Sequence, residues 1–196
     1  MGKAASAGHF WATSGMYPMT ILIGDVAAAS AWTGDKLGVT CKKSYAKPTA
    51  ATIRLAKLDA LVLDPGGIAH VGLVFRDGDR ITIVETRDDI LDPTSAAAKR
   101  VRAVADAIPA KPKRIGIVDV PSGLLVLADA SHRFAPEWFR DVRKPRETGR
   151  GVAVDSDVLL LRIAPGRLTI DREGGGDADG VVRLSPQSPA KRTRRA

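Results

Sequence analysis

The sequence predicts an α+β domain in which a largely antiparallel sheet, built from hairpins, packs against one long helix. Three pairs of short apolar runs flank turn residues, which is the pattern of β-hairpins. One stretch of helical spacing, from Ala97 to Ile108, supplies the helix. The 196 residues suit a single domain, predicted over residues 1–173, followed by a flexible basic tail over residues 174–196.

The first predicted elements are a buried strand and a short helix. Residues 19–24 form an apolar, β-branched run that ends at Gly24-Asp25. Asp25 stands where an N-cap belongs, ahead of an alanine-rich helix that continues to Ala31. Residues 59–63 make a second strand, closed by the turn signal Asp64-Pro65-Gly66-Gly67.

Three hairpins follow from the turn signals. The first has a type I′ turn at Asp77-Gly78, because this dipeptide accepts positive φ values. The paired runs are residues 68–76 with 80–87, 115–120 with 124–128 around Pro121-Ser122-Gly123, and 158–163 with 168–170 around Ala164-Pro165-Gly166. The long helix begins with Asp92 as N-cap and Pro93 as first helical residue, and Pro109 ends it. A short helix is predicted over residues 136–142.

The charge is strongly basic, with 30 Lys and Arg residues against 22 Asp and Glu and a formal net charge of +8. Residues 174–196 contribute +3 of it. A second cluster, termed here the basic face, surrounds the long helix and offers a charged partner surface. It consists of Lys99, Arg100, Arg102, Lys111, Lys113 and Arg114. It predicts one candidate function, a small basic nucleic-acid-binding or regulatory protein, while a solvated helix face explains the same pattern.

Catalytic chemistry finds little support in the residues. Cys41 is the single cysteine, and the three histidines (His9, His70 and His132) lack the paired spacing of a zinc site. Asp129 and His132 could contribute to a hard-metal site, although Asp129 more simply caps a segment. No phosphate-binding loop is present. We therefore predict a protein without enzymatic activity, metal or cofactor.

The sequence predicts neither a membrane span nor a signal peptide. No stretch reaches the roughly 18 consecutive apolar residues of a membrane span, and residues 1–15 have no apolar signal-peptide region. These features predict a cytoplasmic protein that does not bind a membrane.

The N-terminal block resembles a family of bacterial immunity proteins of polymorphic toxin systems, the immunity protein family twenty-one. Trp11, Ser14, Gly15 and Pro18 lead into the predicted strand, and Trp32-Thr33-Gly34 follows the alanine-rich segment. Residues 119–131 are similar to a later strand of the family, and residues 158–170 to its closing strands around a Pro-Gly turn. The resemblance covers roughly residues 10 to 172, with Gly-Met-Tyr-Pro in place of the family's Gly-Gly-Pro turn.

The resemblance implies a non-enzymatic protein that binds a cognate toxin and neutralises it by occlusion. Many toxins of this kind are basic nucleases, for which an acidic inhibitor surface is expected, whereas this chain is net positive. Either the toxin is acidic or not a nuclease, or an acidic patch of this chain binds it. The acidic residues of the first hairpin and the segment after it, termed here the acidic hairpin, fit this role. They are Asp77, Asp79, Glu85, Asp88, Asp89 and Asp92. Trp32 is a further candidate for toxin contact, although core packing explains it better.

Overall fold

The computed structural model describes residues 5–11, 20–34, 49–64, 71–86, 95–107, 111–130, 133–134, 152–155, 158–174 and 180–187. Over these ranges the chain forms mostly β-strands, with two helices. The strands are β1 (Ala5–Trp11), β2 (Ile21–Asp25), β3 (Thr49–Leu55), β4 (Leu58–Asp64), β5 (Val71–Asp77), β6 (Arg80–Thr86), β7 (Lys113–Val120), β8 (Leu124–Asp129), β9 (Val152–Asp155), β10 (Val158–Arg162), β11 (Gly166–Gly174) and β12 (Gly180–Pro186). The helices are α1 (Val26–Ser30) and α2 (Ala96–Asp106).

The strands build two six-stranded antiparallel sheets. Sheet one has the order β1-β5-β6-β12-β11-β7, and sheet two has the order β3-β4-β2-β8-β10-β9. The antiparallel arrangement confirms that part of the predicted fold. The long helix as the main packing partner is wrong, because the two sheets face each other as a sandwich and each covers the apolar side of the other.

The principal core lies between the sheets. Inward-facing residues alternate along each strand, for example Ile81 and Ile83 in β6 and Leu125 and Leu127 in β8, all at most 1% exposed. At one corner the sheets come very close, and β7 packs against β4. A methyl group on Gly116 of β7 would lie 2.5 Å from Leu61 Cδ1, so glycine permits this approach.

Each helix covers part of an outer face. Helix α1 and Trp32 cover the apolar outer side of sheet two, where they bury Leu22 and Val126. As predicted, Asp25 caps α1, and its Oδ1 accepts a hydrogen bond from Ala27 N at 2.8 Å.

Helix α2 is shorter than the predicted long helix. Val101 and Ala105 pack on Phe75 and Val84 of sheet one. Ser95 is the N-cap, because its Oγ accepts from Ala98 N at 3.0 Å. The predicted start at Asp92-Pro93 and the stop at Pro109 lie outside the described residues, as does the predicted helix over residues 136–142.

The first predicted hairpin is confirmed as β5 and β6. Asp77 pairs with Arg80, and the turn residues are Gly78 and Asp79. Only Gly78 of the two has a positive φ, of 58°, so the turn has the pattern of type II′ rather than type I′.

The second and third predicted hairpins are wrong, because their strands lie in opposite sheets. Strand β7 pairs with β11 in sheet one, whereas β8 pairs with β2 and β10 in sheet two. The turns at residues 121–123 and 163–165 therefore carry the chain across the sandwich. They contact each other through a hydrogen bond from Ile163 N to Gly123 O. A short turn can join two neighbouring strands of one sheet or two strands of opposite sheets. The local sequence therefore does not distinguish a hairpin from a connection between the sheets.

The predicted tail also needs correction. Strand β12 lies between β6 and β11, in the interior of sheet one, and Val182 and Leu184 are fully buried. The folded part therefore continues at least to Pro186. The basic residues of the predicted tail after this strand lie outside the described residues.

Candidate partner-binding surface

The acidic hairpin is divided by the structure. Asp77 and Asp79 are exposed at the β5–β6 turn. Asp88, Asp89 and Asp92 lie outside the described residues. Only the tip at Asp77 and Asp79 can therefore be assigned to the surface.

Glu85 is buried inside the sandwich. Its Oε2 lies 2.5 Å from Arg172 Nη2 on β11, and the two side chains are 2% and 4% exposed. Gly180 of β12 pairs with Glu85 across the ladder and lies between the two strands. A methyl group on Gly180 would collide with the Glu85 carboxylate and lie 2.9 Å from Arg172 Nη2. Glu85 is thus held in an internal ion pair and is not offered to a partner.

Trp32 is a core residue. It is 5% exposed, and its Nε1 donates a hydrogen bond to the Ala130 carbonyl at 2.9 Å. The backbone N of Ala130 in turn donates to Thr20 O at 2.7 Å. Trp32 is therefore hydrogen-bonded to the residue that joins the end of β8 to the start of β2. Packing therefore accounts for this tryptophan, and toxin contact does not.

The helical half of the basic face is partly neutralised. Lys99 and Arg100 are exposed on α2. Arg102 Nε lies 3.3 Å from Asp106 Oδ2, one turn further along. Its guanidinium lies 5.3 Å from the centroid of the Phe75 ring, which holds the side chain against sheet one. The Arg102 side chain is therefore engaged in contacts with Asp106 and Phe75 of the same chain.

The strand half of the basic face alternates with acidic residues. Arg114 Nε lies 2.6 Å from Asp171 Oδ1, and Lys111 N donates to Glu173 Oε1 at 3.3 Å. Lys113 is exposed. Lys113 pairs with the buried Arg172, whereas Arg114 pairs with Asp171, so these two residues lie on opposite faces of β7. The six predicted residues therefore do not form one uniformly basic surface.

Arg183 is a structural residue that its sequence context assigned to the tail. It lies on β12 and donates through Nη2 to the Ala107 carbonyl at 2.9 Å, which anchors the end of α2. Burial lowers the pKa of its guanidinium, while nearby Glu173 acts in the opposite direction. The signal that could have found it is the alternation of apolar residues around it in residues 181–184.

A network of four charged residues joins the two sheets at the β7 corner. Arg167 on β11 binds Asp119 on β7 (Nε to Oδ1, 2.7 Å) and Asp59 on β4 (Nη2 to Oδ2, 3.0 Å). Arg54 on β3 lies 2.6 Å from Asp59. The hydrogen bond from Arg167 holds the pKa of Asp119 below its usual value of 3.8. These charges stabilise the corner and partner one another.

The described residues show no grouping of three or more His, Cys, Asp or Glu side chains that could hold a metal ion. Asp25, one of the buried acids, is a structural residue, since its Oδ2 accepts from Ser122 N and Oγ at 2.9 and 2.6 Å. Cys41, His70 and His132 lie outside the described residues. Neither helix of the described part is long and apolar enough to cross a membrane.

Comparison of the chain with protein-family models, with curated proteins and with solved structures found no match. The candidate surfaces are therefore defined by geometry. They are an exposed acidic tip at Asp77 and Asp79, and exposed basic residues at Lys99 and Arg100 on α2 and at Lys113 at the start of β7.

Proposed function

We propose that this chain is a bacterial immunity protein that binds a cognate protein toxin and blocks it by occlusion. The proposal starts from the resemblance of the N-terminal block to immunity protein family twenty-one. The described part of that block belongs to the framework of the fold: β2 is an interior strand of sheet two, Asp25 caps α1, and Trp32 packs against the end of β8. The described residues of this block thus hold the fold, and we look for the binding surface in another part of the described chain.

The observation that carries the proposal is the exposed tip of the acidic hairpin, which is held in place by Arg76. Arg76 Nε donates to Gly78 O at 2.7 Å, and its Nη1 donates to the Arg162 carbonyl at 2.7 Å. The turn is thus tied to the end of β10. A turn that is ordered before binding loses little entropy when a partner docks.

The charge of this tip indicates the chemistry of the partner. Asp77 and Asp79 are both exposed on this tied turn, and they complement a basic patch on a toxin. Arg80 is exposed beside them. The matching surface would therefore be basic with an acidic neighbour, which favours one docking orientation over its reverse.

The test uses the product of the gene adjacent to the one that encodes this chain. Co-expression should protect cells from that toxin, and the two proteins should co-purify. Asp77→Asn with Asp79→Asn should weaken the complex at least about tenfold, which is typical for charges at an interface centre. The matched control is Asp106→Asn on α2, which removes one carboxylate from another part of the surface and should leave binding unchanged.

Failure of protection by a folded, expressed chain would overturn the proposal. Equal binding by the double variant would remove the acidic tip from it. The nucleic-acid alternative makes a separate prediction: affinity for DNA or RNA that falls steeply with salt and is reduced by Lys99→Gln with Lys113→Gln.

A further inference from the structure

Three of the four described edge strands carry an extra residue that interrupts their pairing. The register shifts place this residue at Ala7 in β1, Ile115 in β7 and Val154 in β9. Such bulges twist an edge and hinder the addition of another strand. Strand β3 differs, since all seven of its residues pair with β4 without a shift.

Strand β3 lies at the edge of sheet two, where β7 of sheet one contacts it less than it contacts β4. Thr52 and Arg54 share the face of β3 that is turned toward sheet one, yet both are exposed. The reason is that β7, the edge of sheet one, packs mainly against β4. Arg54 is the single charged residue of β3, and its guanidinium is directed to Asp59 at 2.6 Å. Apart from Arg54, which Asp59 and Asp119 hold, the strand carries no charged side chain of the kind that usually prevents self-association at an edge.

The β3–β4 turn determines which backbone groups face outward. Ala56 and Lys57 have φ values of 48° and 66°, as in a two-residue type I′ turn, and Leu55 pairs with Leu58. In such a hairpin the pair next to the turn exchanges both hydrogen bonds, and alternate pairs follow. The N–H and C=O groups of Ala50, Thr52 and Arg54 are therefore directed away from β4.

We propose that β3 pairs with β3 of a second copy of this chain, antiparallel and about a two-fold axis at Thr52. In this register Thr52 pairs with itself, and Ala50 pairs with Arg54 of the second copy. All three outward-facing residues then meet outward-facing residues. A centre at Ala51 would bring in Pro48, which has no N–H, and a centre at Arg54 would oppose two like charges.

The side chains suit the same register. Ala51 and Ile53 lie on the outer face of sheet two and are half-buried. The two-fold axis places Ile53 opposite Ala51 of the second copy, so two apolar pairs form on one face. The product is a continuous sheet of twelve strands, six from each copy, that joins two sandwiches.

The first test is the mass of the full chain in solution, measured by light scattering from low to high micromolar concentration. The wild-type chain should approach twice its 20.7 kDa as concentration rises. Thr52→Pro should be monomeric, because it removes an outward N–H without touching the ladder to β4. Circular dichroism establishes that the variant is folded.

The second test is a disulfide cross-link in a Cys41→Ala background, which decides the matter if the proline variant does not fold. Thr52→Cys should link two copies, since directly opposed residues of an antiparallel pair lie about 5.5 Å apart at Cα. Lys57→Cys is the control. Residue 57 lies five positions from the two-fold axis in each copy, so the two introduced cysteines would be about ten residues, or about 34 Å, apart along the strands. A chain that stays monomeric throughout would overturn the proposal. So would a dimer that survives Thr52→Pro and forms no disulfide in the Thr52→Cys variant.

Discussion

The buried ion pair between Glu85 and Arg172 is expected to be decisive for folding when only one partner is removed. Both side chains are at most 4% exposed. Transfer of each ion out of water costs several kcal/mol, and the attraction between the two offsets that cost only while both remain. Arg172→Met would leave the Glu85 carboxylate buried without this cation, and we expect a loss of about 3–5 kcal/mol. A domain is typically stable by about 5–15 kcal/mol, so the variant should be close to unfolding.

Replacement of both partners gives the matching control. Glu85→Leu with Arg172→Met removes both charges and keeps the volume roughly constant, so its stability should lie near that of the wild type or exceed it by about 1–4 kcal/mol. Urea unfolding followed by circular dichroism measures the wild type, both single variants and the double variant as one cycle. The reasoning is refuted if Arg172→Met costs less than about 1 kcal/mol, or if the double variant loses the sum of the single losses.

Three further predictions concern other contacts. Gly116→Ala should cost about 1–3 kcal/mol, because its methyl group would lie 2.5 Å from Leu61 Cδ1; an unchanged urea midpoint would contradict the close approach of the sheets. Asp119→Asn should lose stability near neutral pH and lose less of it on acidification. Its folded pKa lies below the usual value, so its contribution is present at higher pH and disappears as pH falls through the folded pKa; parallel stability curves would refute this. Trp32→Phe should cost about 1–3 kcal/mol through the unpaired Ala130 carbonyl, and an unaltered unfolding temperature would exclude that role.

Local features of the fold were predictable from the sequence. The Asp25 cap, helix α1 and the β5–β6 hairpin depend on residues a few positions apart, so composition and spacing reveal them. The pairing of β7 with β11 and of β8 with β10 joins distant segments, and a short turn does not say in which sheet the next strand lies. Strand β12 was not predicted, because glycines precede it and basic residues follow it, and the whole segment therefore has the composition of a flexible tail.

The candidate surface was predicted less well, because the sequence does not show which charged residues form ion pairs with each other in the fold. Glu85 and Arg172 are 87 positions apart, yet they neutralise each other inside the sandwich. Arg114 is likewise bound to Asp171. The sequence shows Glu85 only as part of an acidic run and Arg114 only as part of a basic one. Because each of these two residues has a partner of opposite charge, the acidic run and the basic run each offer fewer unpaired charges to a partner than the sequence suggests.

This pairing changes what the net charge of +8 means for function. A basic chain suggests a nucleic-acid partner only where its cations are free to displace counterions from phosphates. Among the described basic residues, Arg102 and Arg114 each lie beside a carboxylate, so part of the basic face is neutralised. At the β5–β6 tip, by contrast, Asp77 and Asp79 are exposed on a turn that Arg76 ties to β10. The acidic tip is therefore a defined contact surface despite the basic net charge, and substitutions there separate the two proposed functions most directly.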